Sequence, residues 1–460
     1  MHDTDVFLIY PEIDSSSPWK MDTPLMPPLG LAFLAAILKK DGYRVKILDN
    51  SIEKKPVDEL LEIVEKESPS LVGLSCLSVN FQRTIQIAKC IKEKIHIPIV
   101  VGGPHATVLP ETLQLPFIDY ICVREGEITL LELCRALRNG SSVENIRGLF
   151  HRIPGAWSFT GQRELLEDLD VLPHPARDLL PISKYRNKAD ETSAETVLSM
   201  NTSRGCPFDC TFCSVRSIWG RKRRTFSVKW ILDDIGELIT SYNANGIYFY
   251  EDNFTMSPGR VESICDGIIE RNYNIKWVCE GRIGSLSLPL LRKMKNAGCE
   301  TVKFGIESGS QRILDLIQKG ITLEQVRETR NLCKKAKMNF ACFFMLGIPS
   351  ETDEDRNKTI KLIKELKPHY LVLSIFIPTP KSVLYETLIK TQSYKYMDQN
   401  YFLYLDEFDR HELERLKEEI ISSWTRNCLN LSLRSSIALK KIAKKILRSL
   451  KASLRFVNEE

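Results

Sequence analysis

Residues 204–214 read RGCPFDCTFCS, with Cys206, Cys210 and Cys213 in a C-x3-C-x2-C spacing within a loop rich in turn residues. Three thiolates this close can hold three irons of a [4Fe–4S] cluster and leave the fourth iron open to a small molecule. A zinc site would want a fourth Cys or His at a regular spacing, and none follows within the next 50 residues. The three cysteines are the candidate metal ligands and the candidate catalytic centre.

Downstream of this loop, GIYFYEDN (246–253), KWVCEGRI (276–283), ETVKFGIESGS (300–310), NFACFFMLGIPSET (339–352) and YLVLSIFIP (370–378) read as strands. With TVLSMNTSRG (196–205) they make six, with helices between, which predicts a partial (β/α)6 barrel over 196–385. Chemistry in such barrels belongs at the C-terminal strand ends. Cys206, Glu251, Asp252, Arg282, Glu307, Ser308 and Gly347 all fall there.

Upstream, VFLIY (6–10), RVKILD (44–49), LVGLSC (71–76), IPIVVGG (97–103) and YICVREGE (120–127) are short apolar runs rich in β-branched residues. Helical patterns separate them at about 29–40, 56–67, 81–94 and 128–139. This alternation predicts βαβ units and a parallel sheet covered on both faces. Residues 1–150 therefore fit a doubly wound, flavodoxin-like domain, with its ligand beyond the carboxyl ends of the strands. The loops there hold Ser75 and Ser78, then Gly102, Gly103, Pro104 and His105, then Glu125, Gly126 and Glu127. Adjacent glycines let backbone approach a bulky ligand, and they equally make a plain strand-to-helix turn. Residues 151–195, with Pro154, Pro173, Pro175 and Pro181, read as a linker packing against both neighbours.

The cysteine loop resembles the cluster loop of radical S-adenosylmethionine (SAM) enzymes, whose open iron chelates the amino and carboxylate groups of SAM. PPLGLAFLAAILKKDGYRVKILD (27–49), VVGGPHATVLPE (100–111) and REGE (124–127) resemble the cobalamin-binding domain of the B12-dependent members. GGPHAT, REGE and CxxxCxxC stand in the family's order over about residues 1–380. The resemblance implies a [4Fe–4S] cluster, SAM and cobalamin as cofactors. Toward SAM it implies Phe212 near the adenine, Glu251 and Asp252 by the amino group, and Arg282 facing the carboxylate. It further implies Glu307 and Ser308 by the ribose and Gly347 at an adenine-side turn. Ordinary ion pairing stays open as the role of the charged ones. Toward cobalamin it implies the strand-end residues named above. Cobalamin mutases supply an axial histidine from a D-x-H-x-x-G loop, but here YPEIDSSSPWKMDTP (10–24) contains none. The cobalt is expected without it, and His105 either touches cobalamin or caps the helix near Ala106.

The activity implied is methyl transfer from methylcobalamin to an unactivated carbon, or to phosphorus, after hydrogen abstraction by a 5′-deoxyadenosyl radical. The same machinery also serves anaerobic oxidative cyclases of tetrapyrrole synthesis and ring-rearranging enzymes. A methylthiotransferase acting on tRNA or protein would carry a second cluster on N-terminal cysteines, yet those here fall within predicted strands and helices. A cobalamin sensor would need no cluster. An electron donor such as flavodoxin or ferredoxin is implied as partner.

The chain has 460 residues, 43% hydrophobic and 27% charged, an ordinary globular balance. Thirteen cysteines, an acidic first segment and no apolar run long enough to span a bilayer suggest reduced thiols in a cytoplasm. The ten cysteines outside the cluster loop are read as small buried hydrophobes. Of the net +5, eight positive charges lie in 431–457 without an acid, leaving the remainder at −3. No nucleic-acid surface is indicated. Residues 386–460 read as a helical extension, in which 433–456 form a basic amphipathic helix. That helix suits the inner membrane surface and a lipid substrate, or equally docks on the barrel.

Overall fold

The computed structural model describes residues 4–13, 26–185 and 189–432. The tail helix expected at 433–456 and most of the 10–24 loop lie outside the described residues.

Val6–Tyr10 (β1) is VFLIY, with its first four residues buried. A run apolar on both faces belongs inside a sheet covered on both sides. It pairs in parallel with Val45–Asp49 (β2) and Leu71–Ser75 (β3). Ile99–Gly102 (β4) and Tyr120–Cys122 (β5) extend the sheet in the order β2-β1-β3-β4-β5, that of a doubly wound flavodoxin-like fold. Leu149–Ile153 (β6) and Ala156–Phe159 (β7) then add an antiparallel hairpin to the β5 edge. Most of this hairpin falls within the 151–195 stretch that reads as a linker by sequence. Pro154 and Gly155 are its turn, and Gly155 sits at φ 76°, where side chains are disfavoured.

The second sheet is an open half-barrel of six parallel strands. It starts with Val197–Met200 (β8). Ser203–Arg204 (β9) and Arg224–Thr225 (β10) form a two-residue antiparallel ladder beside it. Gly246–Phe249 (β11), Lys276–Gly281 (β12), Cys299–Glu307 (β13), Asn339–Leu346 (β14) and Tyr370–Ile375 (β15) follow, in the order β8-β11-β12-β13-β14-β15.

One apolar core runs through both sheets. The helix Leu29–Lys40 buries eight of its twelve residues, the mark of a helix enclosed on most sides. Its Phe33 lies 6.0 Å from Phe226, which stacks on Trp230 at 3.9 Å. The segment between the sheets adheres to both. Ala176 donates its N–H to the Ala32 carbonyl at 3.0 Å. Arg177 pairs with Asp234 at 2.6 and 3.0 Å, both fully buried, and the Tyr185 hydroxyl donates to Asp49 at 2.8 Å.

After β15 come a helix, Val383–Thr391, a small hairpin of Tyr396–Met397 (β16) and Leu403–Tyr404 (β17), and a helix Arg410–Ser432. The hairpin interrupts the expected helical extension. Its loop reaches back to the first sheet, where Tyr401 lies 5.3 Å from Phe81 and 5.8 Å from His105. Among the described residues, no helix is long and apolar enough to cross a membrane.

Candidate functional site

The half-barrel opens at the C-terminal strand ends into a cavity of about 380 Å³. Cys206, Cys210 and Cys213 line it together with Phe212, Asp252, Arg282 and Glu307. Three thiols on one wall, none in a disulfide, suit a cluster with one open iron. Burial pushes the Cys206 thiol up and the Cys213 thiol up to about 12. Iron must displace those protons, since the thiolate is the ligand.

The cluster loop is closed at its neck by β9 and β10. Gly205 has φ 89°, and a Cβ there would sit 2.3 Å from the Lys222 carbonyl oxygen. Only glycine lets the chain turn into the loop at this point. The Cys206 N–H donates to the Gly220 carbonyl at 3.3 Å, bringing the two ends of the loop together.

Opposite the cysteines, polar side chains alternate along the strands. Glu280 and Arg282 share one face around the end of β12, and Lys303, Gly305 and Glu307 share one face of β13. At Gly305–Glu307 the register with β14 shifts, and Glu307 takes φ 73°. This bulge aims the carboxylate into the cavity, where it accepts from Lys319 Nζ at 2.6 Å. Lys319 also lies 5.6 Å from the Phe212 ring centroid. The Arg282 guanidinium lies 3.6 Å from the Phe208 ring centroid and donates to the Lys319 carbonyl. Tyr248 donates to Glu280 at 2.6 Å, while Lys303 donates to Tyr248 at 2.9 Å and to Glu191 at 3.0 Å. Asp252 has open surface at the cavity wall but lies deep among protein atoms. Burial first, then the charges of Glu280 and Glu251, push its carboxyl up to about 6.

Three expected SAM contacts do not line the cavity. Glu251 is buried, accepts from Thr202 N–H and hydroxyl at 2.7 and 2.6 Å, and pairs with Arg223 at 3.2 Å. Ser308 is fully buried 3.4 Å from the Thr359 hydroxyl. Gly347, at φ 77°, donates its N–H to Glu351 at 2.7 Å. Conversely, Glu280 and Lys303 are not singled out by sequence, although Glu280 lies two residues before Arg282 and Lys303 lies four before Glu307 on β13. Lys319 had no such signal, because it comes from a loop after the helix Gln311–Leu316.

In the first domain, Ser75, Ser78, Gly102, Gly103 and Pro104 are partly exposed together at the strand ends. Gly103 has φ 104°, and a Cβ there would meet the Cys76 carbonyl oxygen at 2.8 Å. His105 behaves otherwise. It is fully buried, with Nδ1 2.9 Å from the Ser78 hydroxyl and Nε2 2.9 Å from the Thr112 hydroxyl. Burial pulls its pKa down to about 3, so the ring is neutral and joins two loops rather than facing a ligand.

Glu125 and Glu127 also depart from expectation. Both are buried and committed to arginines of the cluster-loop neck: Arg204 reaches Glu125 at 3.0 Å and Glu127 at 2.6 Å, and Arg224 reaches Glu125 at 2.8 Å. Gly126, between them, packs near Leu34.

Residues 200–363 match the model of the Radical SAM superfamily, and residues 23–134 match that of the B12 binding domain. An uncharacterized methyltransferase of Pyrococcus horikoshii is 33% identical over 420 residues, covering 90% of each chain. The chain belongs to the B12-binding radical SAM family. This radical SAM protein is an enzyme of the methyltransferase group, with a [4Fe–4S] cluster, SAM and cobalamin as cofactors. It is also 28% identical over 424 residues to an anaerobic magnesium-protoporphyrin IX monomethyl ester cyclase of Rubrivivax gelatinosus, covering 88% of this chain and 74% of that one. In fold it is similar to the radical SAM methyltransferase TsrM of Kitasatospora setae, solved with cobalamin and a [4Fe–4S] cluster bound. The TM-score there is 0.68 at 18% identity, covering 81% of this chain and 75% of that one.

Proposed function

We propose that this radical SAM enzyme methylates an unactivated carbon, or phosphorus, of a small molecule, with the cluster held by Cys206, Cys210 and Cys213. The observation that carries the reading is that the three thiols share one cavity with the polar strand ends of the half-barrel. When bound there, the cluster with SAM supplies a 5′-deoxyadenosyl radical for hydrogen abstraction, and cobalamin supplies the methyl group. The chain's own part is to bind and orient. Arg282 over Phe208 offers a fixed cation to a carboxylate. Asp252 offers an anion to an ammonium, whose positive charge would favour the ionised form of its raised carboxyl. Glu307, once its bond to Lys319 is exchanged, offers acceptors to vicinal hydroxyls. Phe212 shields this wall from water. Cobalamin would be held in this reading by Ser75, Ser78, Gly102, Gly103 and Pro104, with His105 not among them because both of its ring nitrogens are engaged.

Anaerobic purification and reconstitution test the reading through iron and cobalamin content, followed by mass spectrometry of metabolites from cells with and without the protein. A product heavier by one methylene unit supports methylation. A product cyclised without that gain supports the alternative of an oxidative cyclase. Alanine at all three cysteines should remove the cluster's iron and SAM cleavage. An electron donor of the flavodoxin or ferredoxin kind, and peripheral contact of 433–456 with an anionic membrane, belong to the same proposal. The latter rests on eight basic residues beside an apolar stripe. Sedimentation with anionic but not neutral vesicles, lost on deleting 431–460, is its expected outcome.

A further inference from the structure

The REGE stretch is left over by the functional reading. Its two glutamates do not face the crevice at the strand ends. They hold the neck of the cluster loop, Glu125 from the loop that follows β5 and Glu127 from the start of the helix Glu127–Asn139, in a domain built around another cofactor.

Arg204 is the second residue of β9 and stands two positions before Cys206. Its guanidinium spans both glutamates, one nitrogen on Glu125 and the other on Glu127. It is 8% exposed and packs toward Phe33 at 5.5 Å and Trp219 at 5.2 Å, one ring from each domain. Arg224, its ladder partner on β10, places one guanidinium nitrogen, Nη1, against both oxygens of Glu125 at 2.8 and 2.9 Å. It also donates to the Leu166 and Trp219 carbonyls at 2.8 and 3.2 Å. Two arginines and two glutamates are thus buried as a neutral group of four, joined by charge-assisted hydrogen bonds.

From Glu125 the path continues into the glycine loop. Arg124, in the left-handed region at φ 63°, donates its N–H to the Thr107 hydroxyl at 2.8 Å. Thr107 in turn donates to the Gly103 carbonyl at 3.0 Å. The short helix Pro104–Val108 that begins there lies against the short helix Val215–Trp219 that follows the cluster cysteines. Hydrogen bonds, joined by the single peptide link from Arg124 to Glu125, therefore run from the Gly102–Gly103 turn to within two residues of Cys206.

We propose that Glu125 and Glu127 are positioning residues that couple occupancy of the cobalamin crevice to the cluster loop, so that each cofactor site favours the filled state of the other. This rests on the proposed reading of the two sites. A group of four buried charges suits the purpose because it is stiff: a partner displaced by an ångström leaves a buried charge unpaired, which is costly. Coupling of binding free energies is reciprocal, so it can be read from either cofactor.

The experiment reads it from cobalamin. Aquocobalamin is titrated by absorbance into protein with its reconstituted cluster and into the Cys206→Ala, Cys210→Ala, Cys213→Ala triple variant, each with and without Glu127→Gln. The expected result is about tenfold tighter binding to the cluster-loaded protein, a typical size for coupled sites. Glu127→Gln should close that gap while iron content is kept. A purely structural role would lower the melting temperature of both forms and leave the ratio untouched, and that result overturns the proposal, as does equal affinity of the two forms without Glu127→Gln. If Glu127→Gln does not fold, Glu127→Gln with Arg204→Gln removes both charges together, and the same closing of the gap is expected. Arg204→Lys, which keeps the charge but loses the fork, should leave an intermediate ratio. Failure of the protein to take up iron on reconstitution, or to bind cobalamin at all, would instead overturn the functional reading.

Discussion

Single residues at the site are governed by what their neighbours leave them. Glu351 closes the turn that starts at Gly347: it accepts from the Gly347 N–H at 2.7 Å, while its other oxygen has no partner. Burial pushes its carboxyl up to about 7, against the pull of the Gly347 amide and of Arg356 at 3.7 Å. The native state thus holds this proton to a higher pH than the unfolded chain does. Its contribution to stability is fully present below the ordinary value of 4.5 and is lost as pH rises through about 7. Glu351→Gln keeps the acceptor for Gly347 and removes the titration. At about pH 8 the variant should be more stable by up to about 3 kcal/mol, with the difference gone near pH 4. Urea midpoints across that range measure it, and parallel curves for the two proteins would contradict the assignment.

At the scale of elements, two devices place chemistry at strand ends. One is the bulge in β13, where Ile306 drops out of the pairing with β14 and Glu307 meets Lys319. The other is the turn from β4 into the helix Pro104–Val108. Gly103→Ala places a methyl group 2.8 Å from a backbone oxygen at φ 104°, and neither side can yield cheaply. The expected loss is about 2–4 kcal/mol, strain and overlap together. Gly102→Ala is the control, because its Cβ would meet its nearest atom at an ordinary 3.6 Å and its backbone is not left-handed. Urea denaturation should separate the two variants clearly. Equal costs would show that the close approach at Gly103 relaxes.

Across the whole molecule, the two sheets are held by an apolar core and by buried polar groups crossing it. Arg177 and Asp234 are the deepest, joining the inter-sheet segment to the helix Val228–Tyr242. Removing either partner leaves a lone buried charge, so Arg177→Ala and Asp234→Ala should each cost about 3–5 kcal/mol. The pair Arg177→Met with Asp234→Leu should cost less than either single change, since it leaves no charge behind. Thermal unfolding of the three variants decides this. A double variant as unstable as the sum of the singles would mean that the pair acts through shape alone.

Much of this protein was legible in its sequence because local signals there are strong. Runs such as VFLIY state a doubly covered strand by composition alone, and the CxxxCxxC spacing states its chemistry without a fold. Tertiary structure decided what local pattern cannot carry. The β6–β7 hairpin was hidden because strands of five and four residues around Pro154–Gly155 show too little periodicity. Glu125 and Glu127 looked like ligands for cobalamin because their partners, Arg204 and Arg224, lie about 80–100 residues away. His105 looked available until folding buried it beneath Phe81 and Tyr401. Lys319 gave no sign at all, since a loop lysine meets Glu307 only when the half-barrel closes its rim. Sequence determines which residues are able to do chemistry here. Burial and pairing across distant segments determine which of them are left free to do it.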